Sequence, residues 1–242
     1  MSESKPNYKR VLLKLSGEAL ADKEGGAILS EETVGKICAQ IKKCSDAGVQ
    51  IAIVVGAGNI WRGKMGAATM ERSLADSMGM LATTINALAI GDQLRRAGAD
   101  ARVMTPIEMP KIAETFVRDK AVSHLEKGRV VVFAGGTGCP FFSTDTAAVL
   151  KACEIGADTV LMAKNIDAIY TASPSADPNA KKLSETTYSY ILDHKLGVID
   201  LTAAALALEN KMPLHVFGLK DTENISRVLL SDEKTGTVVA AE

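Results

Sequence analysis

The sequence predicts an α/β fold: a mostly parallel open sheet covered by helices on both faces. Three observations predict it. Short β-branched runs alternate with longer helical patterns along the whole chain. Runs such as VLLKL and QIAIVV are apolar on both faces, as strands between two helix layers must be. With 242 residues, 47% of them hydrophobic, the chain can also bury a sizeable core.

The elements follow in order. Arg10–Leu15 is the first strand. Glu31–Ala47 is a helix, with Val34, Ile37, Cys38, Ile41 and Cys44 on one face and Gly48 closing it. Gln50–Val55 is a buried strand. Leu74–Ala97 is a long helix ending at Gly98, and its stripe Leu74, Met78, Leu81, Ile85, Leu88 suits either a central core helix or a subunit interface. A strand at Ala101–Met104 precedes a helix at Val117–Lys127. The strand Arg129–Ala134 runs into a glycine loop, then a helix at Thr146–Ile155 and a strand at Thr159–Ala163. Tyr170–Thr187, rich in Ser, Pro, Asp and Lys, reads as a surface excursion. Leu201–Lys211 and Ile225–Leu230 are helices, Leu214–Phe217 and Thr237–Val239 strands. Residues 1–8 read as a polar tail and 9–242 as one domain, with a lobe boundary within Gly156–Asp158.

Lys plus Arg is 28 against 29 for Asp plus Glu, a net charge of −1 without the basic excess of a nucleic-acid surface. No apolar run approaches the ~20 residues of a membrane helix. Cys38, Cys44, Cys139 and Cys153 form no C-x-x-C pair, which argues against zinc and for reduced thiols in a cytoplasmic protein.

In an open parallel sheet, ligands collect beyond the carboxyl ends of the strands. Four segments meet that rim: Lys14–Gly17, Gly56–Arg62, Gly135–Asp145 and the stretch after Ala163. Lys14 is an ammonium late in a core strand; it either faces an anion at the rim, together with the amides of Ser16 and Gly17, or snorkels to solvent. VVGAGNIWRGKM fits neither familiar nucleotide loop. Its Gly56-Ala57-Gly58 lacks the third glycine of the dinucleotide fingerprint, and Gly58 to Gly63-Lys64 has P-loop spacing with Met65 where a hydroxyl should hold magnesium. Arg62 is a candidate for bidentate phosphate binding. In GGTGCPFFSTDTAAV, Ser143, Thr144 or Asp145 caps the following helix, whose amino end suits an anion. Three glycines with Thr137, Ser143, Thr144 and Asp145 exceed what a plain turn requires. Asp145 is either a cap or the partner of Lys14 or magnesium. Lys164 repeats the ambiguity of Lys14, and Tyr170 either lies against a nucleobase or is half-buried in a hairpin. Asp76 fits a helix amino terminus, and His124, His194 and His215 have no partner visible in the sequence.

KLSGEAL, VVGAGNIWRG, ADSMGMLAT, GGTGCPFFSTDTAA and the stretch around NIDAIYTASP together resemble the bacterial uridylate kinases of the amino-acid-kinase superfamily, in order and spacing, from about Lys9 to near the C-terminus. The resemblance implies a three-layer α/β/α sandwich and magnesium-dependent transfer of the γ-phosphoryl of ATP to UMP. It implies that Lys14, Leu15, Ser16, Gly17, Gly58, Arg62, Lys164, Tyr170 and Ser173 contact ATP. The UMP contacts would be Gly56, Ala57, Asp76 and the run Thr137, Gly138, Cys139, Pro140, Phe141, Phe142, Ser143 and Thr144. Lys14, Arg62 and Asp145 would carry the chemistry, and the nucleotide phosphates, more than the protein, would hold the magnesium. A homohexamer and feedback inhibition by UTP are implied as well. Ala57, Cys139, Ser143, Ala168 and Ser173 depart from the residues usual at these positions, and Asp22–Ala27 matches poorly a segment that some members use to respond to GTP. A related kinase for carbamate, acetylglutamate or aspartate, and a non-catalytic nucleotide sensor, are the alternative readings.

Overall fold

The computed structural model describes residues 6–22, 25–61, 70–174 and 177–240. Eleven strands are found among them: β1 Arg10–Leu15, β2 Gln50–Val55, β3 Ala101–Thr105, β4 Glu114–Thr115, β5 Val130–Phe133, β6 Thr159–Lys164, β7 Ile169–Tyr170, β8 Lys182–Leu183, β9 Glu185–Thr187, β10 Leu214–Gly218 and β11 Thr237–Ala240. The helices described are α1 Glu31–Asp46, α2 Arg72–Arg96, α3 Arg118–Glu126, α4 Thr144–Ile155, α5 Tyr188–Asp193, α6 Leu201–Glu209 and α7 Asn224–Leu230.

Nine strands form one open sheet in the order β4-β3-β5-β2-β1-β6-β10-β11-β9. Within this sheet, among the described residues, only the β10–β11 pair is antiparallel. β1 lies at the point where chain order reverses: β2 lies on one side of it and β6 on the other, with Lys14 level with Val54 and Met162. Such a reversal opens a crevice at the carboxyl ends.

Side chains alternate between two cores. Val11, Leu13 and Leu15 of β1 pack with the apolar faces of α1, α2 and α7. Leu12 packs on the other face with α3, α4, α5 and α6. The four apolar side chains at 11, 12, 13 and 15 are at most 1% exposed, and full burial of an aliphatic chain contributes about 1.5–3 kcal/mol. The polar stretch after β6 departs from the expected excursion. It folds the β7–β8 hairpin, and β9 joins the main sheet beside β11. β9 and α5 escape a sequence reading because the strand has three residues, and its pairing partner lies some fifty residues on.

Candidate active site

The period of two in β1 puts Lys14 on the face of Leu12, toward α4. The same period in β6 puts Lys164 on the face of Val160 and Met162. The first turn of α4 brings Asp145 to both. Lys14 Nζ lies 2.8 Å from Asp145 Oδ1, and Lys164 Nζ 2.9 Å from Oδ2. Their side chains are only 10%, 20% and 14% exposed for Lys14, Lys164 and Asp145. Two ammonium groups therefore share one carboxylate in a poorly solvated place. Burial pushes the Asp145 carboxyl up, but Lys14 and then Lys164 outweigh it and hold the group below its ordinary value. Burial pushes the Lys164 ammonium down; Asp145 opposes this and Lys14 adds to it. The cluster keeps one surplus positive charge, and an arriving anion would relieve it.

The loops after β1 and β2 touch through backbone. A Cβ on Gly17 would stand 2.5 Å from the Gly56 carbonyl oxygen and from Asn59 Oδ1, so only glycine fits. The Gly56 N–H donates to Leu15 O at 2.9 Å. Asn86 of α2, fully buried, donates to Gly56 O at 2.7 Å and to Asn59 Oδ1 at 2.8 Å, and Asn59 returns a bond to Asn86 Oδ1 at 3.1 Å. The Trp61 indole donates to Ala75 O at 2.9 Å. Arg62 lies outside the described residues.

The loop after β5 is pinned at both ends. Gly135, at φ 72°, donates its N–H to Thr83 Oγ1 at 2.9 Å, and a Cβ there would lie 2.8 Å from Thr105 Oγ1. Thr137 Oγ1 donates to Cys139 O and accepts from Cys139 N. Phe141 holds φ 72° without being glycine, which costs on the order of 1–3 kcal/mol unless its surroundings enforce it. Its N–H donates to Asp76 Oδ2 at 2.8 Å. Ser143, not Asp145, caps α4 by accepting from Thr146 N at 3.0 Å. The cap position faces back along the helix, which leaves Asp145, two residues on, free to face the lysines. The Ser143 hydroxyl donates to Asp200 Oδ2, Thr146 Oγ1 donates to Asp200 Oδ1 at 3.3 Å, and Asp200 itself caps α6.

Two clefts are lined by loops that adjoin the cluster in the chain. The first, of about 520 Å³, is walled by Ala57 and Gly58, by Asp76, and by Thr137, Cys139, Phe141, Phe142, Ser143 and Thr144. Gly56, Gly138 and Pro140 belong to the same loops without lining it; a Cβ on Gly56 would lie 3.6 Å from Thr144 Oγ1. The second, of about 590 Å³, opens beyond β6 and β10, beside Asn165, Asp167, Tyr170 and Gly218. Lys14, Asp145 and Lys164 line neither cleft, but in the chain Asp145 follows Thr144 of the first and Lys164 precedes Asn165 of the second. The Tyr170 hydroxyl donates to Asp167 Oδ1 at 2.9 Å. Ser173 is exposed and does not line the second cleft, although Pro174 does. The Leu15 side chain is fully buried in the core and faces neither cleft.

The amino acid kinase family model matches residues 9–218. The chain belongs to the amino acid kinase family. Among solved structures, the UMP kinase from Bacillus anthracis is similar at 36% identity, covering 97% of each chain with a TM-score of 0.92. The UMP kinase from Ureaplasma parvum is similar at 32% identity, covering 96% of this chain and 98% of that one, with a TM-score of 0.88. Within this family fold, the rim that sequence periodicity singles out is the one that gathers the polar side chains.

Several residues of the first cleft carried no sequence signal. Asp200, Thr83 and Arg72 line it, and Asn86 supports its wall. Only the acid before the apolar run at Leu201 could have marked Asp200, as a helix cap. His124 does have partners: Glu114 Oε2 and Arg129 Nη1, each at 3.0 Å, on the far edge of the sheet. Sequence could not supply them, since β4 is two residues long.

Proposed function

We propose that this chain transfers the γ-phosphoryl group of ATP to UMP, giving ADP and UDP in pyrimidine nucleotide synthesis, with residues 9–242 acting as one kinase domain. The observation that carries the reading is the Lys14–Asp145–Lys164 cluster, with its surplus positive charge, next in the chain to lining residues of both clefts. Phosphoryl transfer requires two polyanions held in line and their charge neutralised. UMP occupies the first cleft and ATP the second in this reading, so the transferred group passes beside the cluster. Lys14 meets the charge spreading over that group. Asp145 holds both ammonium groups in place. Ser16 and Gly17 offer amides at the end of β1, Arg62 and Gly58 assist at the phosphates, and Asp76 takes the UMP ribose. The acceptor is already an ionised phosphate and needs no strong general base.

Magnesium would bring charge neutralisation and template the nucleotide phosphates. Both Asp145 oxygens already face ammonium groups, so the donor set fits an ion carried mainly on phosphate oxygens anchored by Lys14 and Lys164. We place the reaction in the cytoplasm; among the described residues no helix is long and apolar enough to cross a membrane. A homohexamer is part of the same reading. It is supported by the α2 stripe, where Leu74, Leu81 and Ile85 are 53%, 53% and 48% exposed on one side. Feedback inhibition by UTP rests on the family resemblance.

The decisive experiment is ADP release from magnesium-ATP with UMP as acceptor, beside CMP, dUMP, carbamate, acetylglutamate and aspartate. Release that depends on UMP is expected. Release with a carboxylate or carbamate instead, or with none of them, overturns the reading.

A further inference from the structure

The first turn of α2 and the middle of the loop after β5 meet in a closed triangle of contacts. Arg72 Nε donates to Asp76 Oδ2 at 2.9 Å, one helical turn away. Phe141 N donates to the same oxygen at 2.8 Å. The Arg72 guanidinium lies over the Phe141 ring, 5.5 Å from its centre. Arg72 and Asp76 both line the first cleft, with Phe141 from 65 residues along the chain.

We propose that Arg72 is a positioning residue for the acceptor nucleotide. The inference rests on the reading that UMP binds in this cleft. Three physical effects converge on it. Both contacts fall on Oδ2, so Arg72 and the Phe141 amide together fix the Asp76 carboxylate on the cleft wall. A nucleoside monophosphate carries nearly two negative charges at neutral pH, and a bare carboxylate on the wall would repel it; Arg72 cancels that charge. The stack and the shared oxygen also hold Phe141 in its left-handed conformation, which fixes the course of the loop from Thr137 to Ser143 against the cleft. An ordinary exposed i,i+4 ion pair does none of these and has little effect when removed.

The test compares wild type, Arg72→Ala, Arg72→Lys, Phe141→Ala and Arg72→Ala/Phe141→Ala by steady-state kinetics in both substrates. Arg72→Ala is expected to raise KM for UMP about five- to tenfold, the combined scale of a charge pair and a cation–π contact, with kcat and KM for ATP within about twofold. Arg72→Lys recovers part of the loss, since it keeps the charge but not the planar stack. The double variant raises KM by less than the product of its two single variants, because both break one unit. Arg72 is more than half exposed, so folding is expected to survive; should Arg72→Ala fail to fold, Arg72→Lys and Phe141→Ala carry the same comparison. A wild type inactive with UMP overturns the acceptor assignment and this inference with it. A wild type active with UMP, with KM for UMP unmoved in the variants or rising in step with KM for ATP, overturns the positioning role alone.

Discussion

The two clefts share one rim but are built differently. The wall of the first is backbone held by buried amides and hydroxyls: Asn86 on Gly56 and Asn59, and Thr83 on Gly135. Asn86 is fully buried and Thr83 only 6% exposed. The mouth of the second is held by exposed pairs beside one half-buried bond, from Asn224 Nδ2 to Gly218 O at 2.8 Å. Lys182 lies 3.0 Å from Asp167, with side chains 46% and 59% exposed, and Tyr170 donates to the same carboxylate. A buried polar group left without its partner costs far more than an exposed ion pair contributes. The wall of the first cleft is therefore held more by buried bonds than the mouth of the second. In the proposed reaction the first cleft selects the acceptor.

The charged cluster should dominate any mutational series. Lys14→Ala is expected to lower kcat by about 10²–10³-fold, the scale for one preorganised electrostatic group. Normal turnover in a folded Lys14→Ala protein would remove the cluster from the mechanism.

The contrast in construction is tested next. Asn86→Leu strands the Gly56 carbonyl and Asn59 and should destabilise the fold by about 1–3 kcal/mol, read as a drop in the urea midpoint. Lys182→Ala, on the other side, should stay within about 0.5 kcal/mol. Equal losses would mean that the two walls do not differ as described. Asp76→Ala should raise KM for UMP by about tenfold, the scale of one hydrogen bond to a charged group, and KM for ATP by much less. Equal changes in both would break the division of the clefts between acceptor and donor.

The smallest expected effect lies away from the rim, near the start of β10. His215 donates Nε2–H to Thr235 O, while its Nδ1 has no partner among the described residues. Burial pushes the imidazole down from its ordinary value, and the Thr235 contact opposes this. Below about pH 6.5 the unfolded chain takes up a proton that the folded one refuses. The stability tied to His215 is thus complete above that pH and is lost as pH falls toward the depressed folded value. Urea midpoints at pH 7.5 and 5.5 should diverge more for wild type than for His215→Leu. An identical pH dependence in both proteins would show that the burial of His215 has no such linkage.

Much of the architecture was legible because it is periodic. Continuous apolar runs, rich in β-branched residues, set the bounds of β1 and β2 to the residue, and the place of Lys14 late in the first run put it at a strand end where a ligand belongs. Glycine clusters at Gly56–Gly58 and Gly135–Gly138 marked the loops that border the first cleft. The legible part stops where local pattern stops. The reading of Asp145 as a cap was as good as its reading as a lysine partner until Ser143 was seen to fill the cap. Leu15 sits in a matching motif, yet its side chain is turned into the core.

Sequence alone therefore determined the layers, the parallel sheet and the rim, since strand and helix periods are properties of neighbouring residues. Tertiary structure decided which groups on that rim meet. Asp145 reaches Lys14 and Lys164 from 131 and 19 residues away, and Asp200 reaches Ser143 across 57. No local period encodes such pairings: they exist only once the sheet order has brought β1, β6 and the start of α4 to a single point.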